Sequence, residues 1–560
     1  MRFPTVSRCR QALFLSVLPA ISLAQGLSFD PREATIASTH HALYTGLTTC
    51  REIVSSFLSR IEALNNHTNA IITLNPDALS IASHFDTLLA SHNASTGRLF
   101  CIPVLLKDNY DTANMPTTGG NLDLADSRPS VDAPAVTALK DAGAIVLGKA
   151  NLHELALEGL SVSSLGGQTI NPYDSTRTPG GSSGGSGAAV AASFSVFSTG
   201  SDTVNSLRSP ASANSLFSCR PTRGLISRAG IIPISYTQDV IGPIGRCVED
   251  VATALTVMSS VGFDADDNAT ALAPAGIRGT DYYADLTGGS LQGMRFGLPG
   301  GFFNRTATNE TTPVNSAMAA MVAKLRSAGA TIVPINDTVY NATAISALYD
   351  TQRYEYRQEM DVYLQRPSLK GTHPTTLNQL YNSSKFLVIP SQYEYVTTSL
   401  ISSTDNVTVG SHESYDAVQR GIANLTLALR ETFVSKTLDA LIYPEQKNLV
   451  VKIGSASQSG RNGILAAVTG SPVITVPAGF SAATDEAPIG VPIGMEILGL
   501  PYTEQKLLQT AWQIQELTKV RRTPVWARQV VHVKPYANGT VPVIRPDRGN
   551  ISPNYPLGTL

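Results

Sequence analysis

The sequence predicts an α/β protein built as one large domain. Short apolar runs that read as buried strands recur along the chain, and stretches of helical periodicity stand between them. Neither a long linker nor an internal repeat divides the 560 residues. Length alone would allow three or four ordinary domains, so the unbroken alternation decides for one.

Each element has its own signal. Thr49 to Glu52 forms a capping box, and Ile53, Val54, Phe57, Leu58, Ile61 and Leu64 follow at helical spacing, which predicts a helix over about 50–64. Ile102 to Leu106, Ala144 to Leu147, Val473 to Val476 and Ile493 to Ile497 read as buried strands. Ala133 to Ala142, Ala188 to Ala192 and Thr503 to Thr518 read as helices. Tyr349, Tyr356 and Tyr363 repeat every seven residues and are expected on one face of a single helix in 347–366, as core or lid rather than substrate cage. Arg353, Arg357, Glu359 and Asp361 beside them read as a solvated face. The segment 300–345 carries four glycan-acceptor asparagines and reads as a surface excursion.

Composition narrows the function. A chain that is 42% hydrophobic and 15% charged can bury a large core. Lys+Arg 41 against Asp+Glu 43, without a basic run, excludes a phosphate-backbone partner, so no nucleic acid is expected. Arg2, Arg8 and Arg10 precede the apolar stretch Ala12 to Leu23, and Ser22-Leu23-Ala24 offers a cleavage site, so residues 1–24 read as a secretory signal peptide. The apolar run is shorter than a membrane span and Pro19 interrupts it, so no membrane span is expected. Twelve Asn-x-Ser/Thr acceptors, at Asn66, Asn93, Asn268, Asn304, Asn309, Asn336, Asn341, Asn382, Asn406, Asn424, Asn538 and Asn550, agree with a secreted glycoprotein. None lies between Asn93 and Asn268, where the chemistry is expected. Cys9 would leave with the signal, and the other four cysteines allow two disulfides in three connectivities. Proximity alone favours Cys50 with Cys101 and Cys219 with Cys247, and buried free thiols are the alternative.

Two tempting motifs fail on their chemistry. Gly143 to Lys149 has phosphate-loop spacing, but Ala150 stands where a hydroxyl must hold magnesium. His153-Glu154 opens like a zinc-protease motif, yet Leu157 replaces the second histidine, so no metal is expected. Gly180 to Gly187 is the strongest feature. Gly181 to Gly185 matches the Gly-x-Ser-x-Gly nucleophile elbow literally, but turn-forming Asn171 to Pro179 precedes it where an elbow needs a strand. A flexible linker would not run straight into Ala188 to Ala192.

Taken together, Pro179 to Ala189, Gly200 to Ala211, Arg220-Pro221-Thr222 and Asp239 to Ile244 resemble the signature region of the amidase signature family of serine hydrolases. Ile102 to Asn109, Gly148 to Glu154 and Gly470 to Gly479 extend the resemblance in the family's order over most of 45–525, with a signature core at about 100–250 of an amidase domain spanning 25–560. The chain is identified as similar to a secreted, fungal-type member. The resemblance implies a mixed twisted β-sheet covered by helices on both faces, a small-molecule amide substrate and no cofactor. It also implies a catalytic triad: Ser206 as nucleophile, Ser182 as the bridging serine with a cis peptide bond, and Lys107 as base. An ordinary lysine is protonated at neutral pH, so Lys107 must be buried, and apolar Ile102, Val104, Leu105 and Leu106 fit that demand. Asp202 and Arg208 are expected to hold the nucleophile's turn, with Ser183 beside the bridging serine, and Arg220 to be structural.

One departure bears on rate. Between Thr203 and Ser206 the family usually has two glycines whose N–H groups help hold the oxyanion, and this chain has Val204 and Asn205. Thr203, Val204 and Asn205 are the expected oxyanion and substrate-binding residues. Val204 either keeps a negative φ with the amide directions intact, or the hole is degraded, at a cost of ~10²–10³ in rate per lost donor. The added side chains are also expected to narrow the acyl pocket. The resulting expectation is a secreted, glycosylated amidase that cleaves a carboxylic amide through a Ser206 acyl-enzyme. Its rivals are a weak or inactive amide-binding protein, an esterase-leaning hydrolase, and a tRNA-linked amidotransferase component that would need partner subunits.

Overall fold

The computed structural model describes residues 29–91, 96–402, 413–537 and 540–558. The proposed leader and the acceptors Asn93, Asn406 and Asn538 lie outside the described residues. Eleven strands form one mixed sheet: β1 Ile71–Leu74, β2 Ile102–Lys107, β3 Ala144–Ala150, β4 Phe197–Asp202, β5 Phe217–Arg220, β6 Val240–Gly245, β7 Arg295–Pro299, β8 Thr331–Ile335, β9 Ala440–Pro444, β10 Val473–Phe480 and β11 Pro492–Leu498. Their spatial order is β1-β3-β2-β4-β6-β5-β10-β11-β9-β7-β8. Helices cover both faces, which explains why the central strands read as unbroken apolar runs: every residue of β2, β3, β4 and β6 is buried. The single α/β domain is as expected.

The predicted elements start and stop where their chemistry says. Thr49 caps the helix Cys50–Leu64 by accepting from the Glu52 N–H, and the Glu52 side chain answers at the Thr49 N–H. Gly143 to Lys149 is turn and buried strand, as its apolar interior suggests. Lys149 is buried, donating to the Tyr110 and Pro116 carbonyls and to Thr117 Oγ1.

Three expectations fail. The segment 300–345 is no excursion: it holds the helix Thr312–Ser327 and edge strand β8, which pairs in parallel with β7 from Arg295↔Thr331 to Pro299↔Ile335. Its acceptor asparagines occupy the connections on either side. The tyrosine repeat does not share one helix, because the chain breaks at Asp350 and Thr351 between helices Ala342–Tyr349 and Gln352–Leu364. Nor is the polar face of the second helix simply solvated, since Arg357 donates to the Leu400 carbonyl and Asp361 accepts from the Leu377 N–H.

The cysteines divide. Cys50 and Cys101 form a disulfide that ties the helix Cys50–Leu64 to the entrance of β2. Cys219 and Cys247 are free. The antiparallel register pairs Phe217 with Gly245 and Ser218 with Ile244, so Cys219 runs away from Cys247 along the sheet. About four residues at ~3.3 Å each separate them, beyond the reach of a disulfide.

Candidate active site

Strands β2 and β4 are parallel neighbours in a register that pairs Leu105 with Ser198. Their carboxyl ends therefore finish side by side, as they do where open α/β sheets bind ligands. Lys107 ends β2 and Ser201 lies near the end of β4, and Lys107 Nζ is 2.8 Å from Ser201 Oγ. The loop before the helix Gly184–Ala191 brings Ser182, whose Oγ is 2.7 Å from the same amine. The Gly181–Ser182 peptide is cis. Close packing requires the flanking glycines: a methyl group at Gly181 would stand 2.6 Å from Ser161 Oγ, and one at Gly185 2.2 Å from the Asn151 carbonyl oxygen.

Burial sets the charge of the amine. Lys107 and Ser182 have no solvent exposure, and burial pushes the Lys107 pKa down to about 7 against the attraction of Asp202 and Asp239. A substantial neutral fraction is thus available near pH 7. Ser201 Oγ also meets Asn109 Nδ2 at 2.9 Å, which fixes one neighbour of the lysine.

Ser206 sits at the end of the turn that leaves β4, and this turn is held from behind at every carbonyl. Arg220 Nη1 donates to the Asp202 carbonyl at 2.8 Å, Gln238 Nε2 to that of Thr203 at 3.2 Å, and Arg208 Nη2 to that of Val204. The N–H groups of Arg208 and Ser209 donate to the Asn205 carbonyl, and the Ser183 N–H donates to the Ser206 carbonyl at 3.3 Å. A trans peptide points its N–H opposite to its C=O, so pinning these carbonyls turns the N–H groups of Val204, Asn205 and Ser206 the other way. Among the described residues none of those three N–H groups has a protein acceptor. The arrangement offers pre-aligned donors of the kind an oxyanion needs.

The departure from glycine is accommodated without strain, since neither Val204 nor Asn205 has positive φ. Asn205 turns its side chain into the protein, with Nδ2 donating to Glu445 Oε1 at 2.6 Å. Burial and the neighbouring Glu496 push the Glu445 carboxyl up to about 8, so it is largely neutral at pH 7. Beneath the turn, the Asp202 carboxylate accepts from the Leu207 N–H and from both Arg208 and Arg220, and Arg208 also pairs with Glu496 at 2.8 Å. Those cations hold Asp202 well below the usual carboxylate range although burial opposes it.

A cavity of about 320 Å³ opens beside the turn, lined by Ser201, Thr203, Ile232, Ile234, Glu359 and Tyr363 among others. Thr203 Oγ1 donates to Asp239 at its wall. None of Lys107, Ser182, Val204, Asn205 and Ser206 is among the residues that line this cavity, which meets the site at Ser201 and Thr203. Ser201, Asn109, Gln238, Asp239 and Glu445 were assigned no role from sequence. The first four lie within or next to the quoted motifs, whereas Glu445 follows β9, far along the chain, and carried no signal.

Comparison with known proteins agrees with this geometry. The amidase family model matches residues 52–508. A glutamyl-tRNA(Gln) amidotransferase subunit from Alkalilimnicola ehrlichii is 31% identical over 523 residues, 89% of this chain and 99% of that protein. A protein of Arabidopsis thaliana named "Probable amidase" is 31% identical over 526 residues, 92% of this chain and 96% of its own. The structure of peptide amidase from Stenotrophomonas maltophilia superposes with a TM-score of 0.74 at 32% identity, covering 88% of this chain and 98% of that one. With the match spanning the whole sheet and the turn that carries Ser206, the chain belongs to the amidase family and is an amidohydrolase acting on C–N bonds.

Proposed function

We propose that the protein hydrolyses a small carboxylic amide through an acyl-enzyme on Ser206. The reading rests on a single observation: Lys107 Nζ, fully buried and with its pKa pushed down to about 7, lies 2.7 Å from Ser182 Oγ beside the Ser206 turn. Ser206 Oγ attacks the carbonyl carbon while its proton passes through Ser182 to Lys107. The N–H groups of Val204, Asn205 and Ser206 hold the oxyanion. As the C–N bond breaks, the proton returns through Ser182 to the leaving nitrogen, which an amide requires because its anion is a poor leaving group. Water then attacks the acyl-enzyme and the same relay takes its proton. The cavity at Thr203 receives part of the substrate.

In the same reading the enzyme is secreted, or resides in the lumen of the secretory pathway, and carries N-glycans. The charged and apolar pattern of residues 1–24 and the Cys50–Cys101 disulfide support this, since disulfides persist in oxidising compartments. The disulfide also weighs against a role within an amidotransferase complex, the function that the name of the Alkalilimnicola relative suggests.

The test is amine or ammonia release from small, aryl and long-chain amides by the wild-type protein and by Ser206→Ala. Turnover lost in the variant is the expected result. Binding without turnover in the wild type would overturn the catalytic reading and leave an amide-binding protein.

A further inference from the structure

The side chain of Asn205 has no task in the relay, and its contact with Glu445 is buried and remote in sequence. We infer that Asn205 and Glu445 form a positioning clamp that fixes the N–H groups of the Ser206 turn, replacing by side-chain contact the alignment that a glycine turn leaves to the backbone. The inference rests on the acyl-enzyme reading of Ser206.

The geometry supports it from both ends. Asn205 is 1% exposed and Glu445 is 1% exposed, so their 2.6 Å hydrogen bond does not compete with water. Glu445 is itself immobilised: its N–H donates to the Gly494 carbonyl on β11, and its carbonyl accepts from the Asn462 N–H. Asn205 is held at two points, by its carbonyl, which accepts from Arg208 and Ser209 N–H, and by its side chain. Fixing both leaves its backbone little freedom to rotate, so its own N–H and that of Ser206 keep their direction. The charge also suits the role. Glu445 faces Glu496 on β11, Arg208 at the start of the helix Arg208–Ala213 and Asp202 on β4, and its carboxyl is largely neutral at pH 7. A neutral carboxyl accepts from Asn205 without placing a negative charge behind a developing oxyanion.

A clamp of this kind acts on the transition state and not on initial binding, which sets the experiment. The probe is an alkyl fluorophosphonate: Ser206 Oγ bonds to phosphorus as the P–F bond breaks, and the phosphoryl oxygen enters the same N–H site. Rates are measured at pH 7.5 for wild type, Asn205→Ala, Glu445→Ala and Glu445→Gln, with the thermal midpoint of each. Asn205→Ala and Glu445→Ala are expected to lower the maximal labelling rate between about 10- and 100-fold with the half-saturating probe concentration little changed. Glu445→Gln keeps an acceptor oxygen for Asn205 Nδ2 and is expected to restore most of the rate lost in Glu445→Ala. Equal maximal rates in wild type and Asn205→Ala, at equal thermal midpoints, would overturn the clamp and leave the acyl-enzyme reading intact. Failure of Glu445→Gln to recover the rate while folding normally would also overturn it. A wild-type protein that folds but does not label at Ser206 would overturn the hydrolytic reading and the clamp with it.

Discussion

Lys107 should govern the pH dependence of the chemistry. Only its neutral form can take the Ser182 proton, and burial sets the pKa at about 7. Below that value the ammonium accumulates, so kcat/KM is expected to fall about tenfold per pH unit on the acid side and to level off above about pH 8. A profile of kcat/KM from pH 5 to 9 on any turned-over amide reads this directly, and a flat profile down to pH 5 would contradict a lysine base. At this scale the sequence was informative in an uneven way. Ile102 to Leu106 announce the burial of Lys107 because a strand covered on both faces has no polar side. Ser182 and Ser206, by contrast, look like linker and turn residues unless the surrounding motifs are matched as a set. Ser201 was out of reach for a different reason: its 2.8 Å contact with Lys107 comes from the parallel register of β2 and β4, which no local pattern encodes.

Between elements, the turn after β4 packs on the start of the helix Ile464–Thr469, and Gly463 caps that helix with φ −68°. Alanine tolerates that backbone, so a substitution tests packing alone. A methyl group at Gly463 would stand 2.4 Å from the Val204 carbonyl oxygen, 2.6 Å from Asn205 Cβ and 2.8 Å from Arg208 Nη2. The turn must shift, so Gly463→Ala is expected to cost about 1–3 kcal/mol in urea denaturation and to slow Ser206 labelling at least tenfold. Wild-type labelling in this variant would show that the turn tolerates displacement. Elements whose signal is local were legible: the Thr49–Glu52 box marks its helix start, and fully buried strands appear as apolar runs. β8 was missed because it is an edge strand, with Thr331 and Pro334 exposed and acceptor asparagines just beyond it, so its composition is that of surface. The tyrosine repeat misled because periodicity ignores the break at Asp350 and Thr351, where the Gln238 side chain takes the Thr351 N–H and hydroxyl.

For the molecule as a whole, the proposed secretory route makes a prediction about the surface that the fold itself discriminates. N-glycosylation attaches at an asparagine Nδ2, so acceptors whose amide is engaged in the folded protein should differ from those pointing into solvent. Asn66, Asn268, Asn304, Asn309, Asn336, Asn341, Asn382 and Asn424 are exposed. Three of them use only the oxygen: Asn268 accepts from the Tyr236 hydroxyl, Asn304 from the Thr306 N–H and Asn341 from the Ala344 N–H, which leaves each Nδ2 for a sugar. Asn550 is half-buried, accepts from the Gln168 N–H and donates Nδ2 to the Gln168 carbonyl at 2.9 Å. A glycan there would break that donor contact and separate the C-terminal segment from the short strand Gly167–Gln168. Peptide mapping of the protein secreted from a eukaryotic host, with glycan release in heavy-oxygen water to mark occupied sites, is therefore expected to find modification among the eight exposed positions and none at Asn550. Asn268 is the most informative of these, because it lines the cavity beside Thr203 and a sugar on it would stand at the substrate entrance. Occupancy of Asn550 equal to that of the exposed sites would mean that the C-terminal segment docks only after modification or not at all. Absence of glycan at every position would overturn the glycoprotein part of that reading while leaving the chemistry of Ser206 untouched.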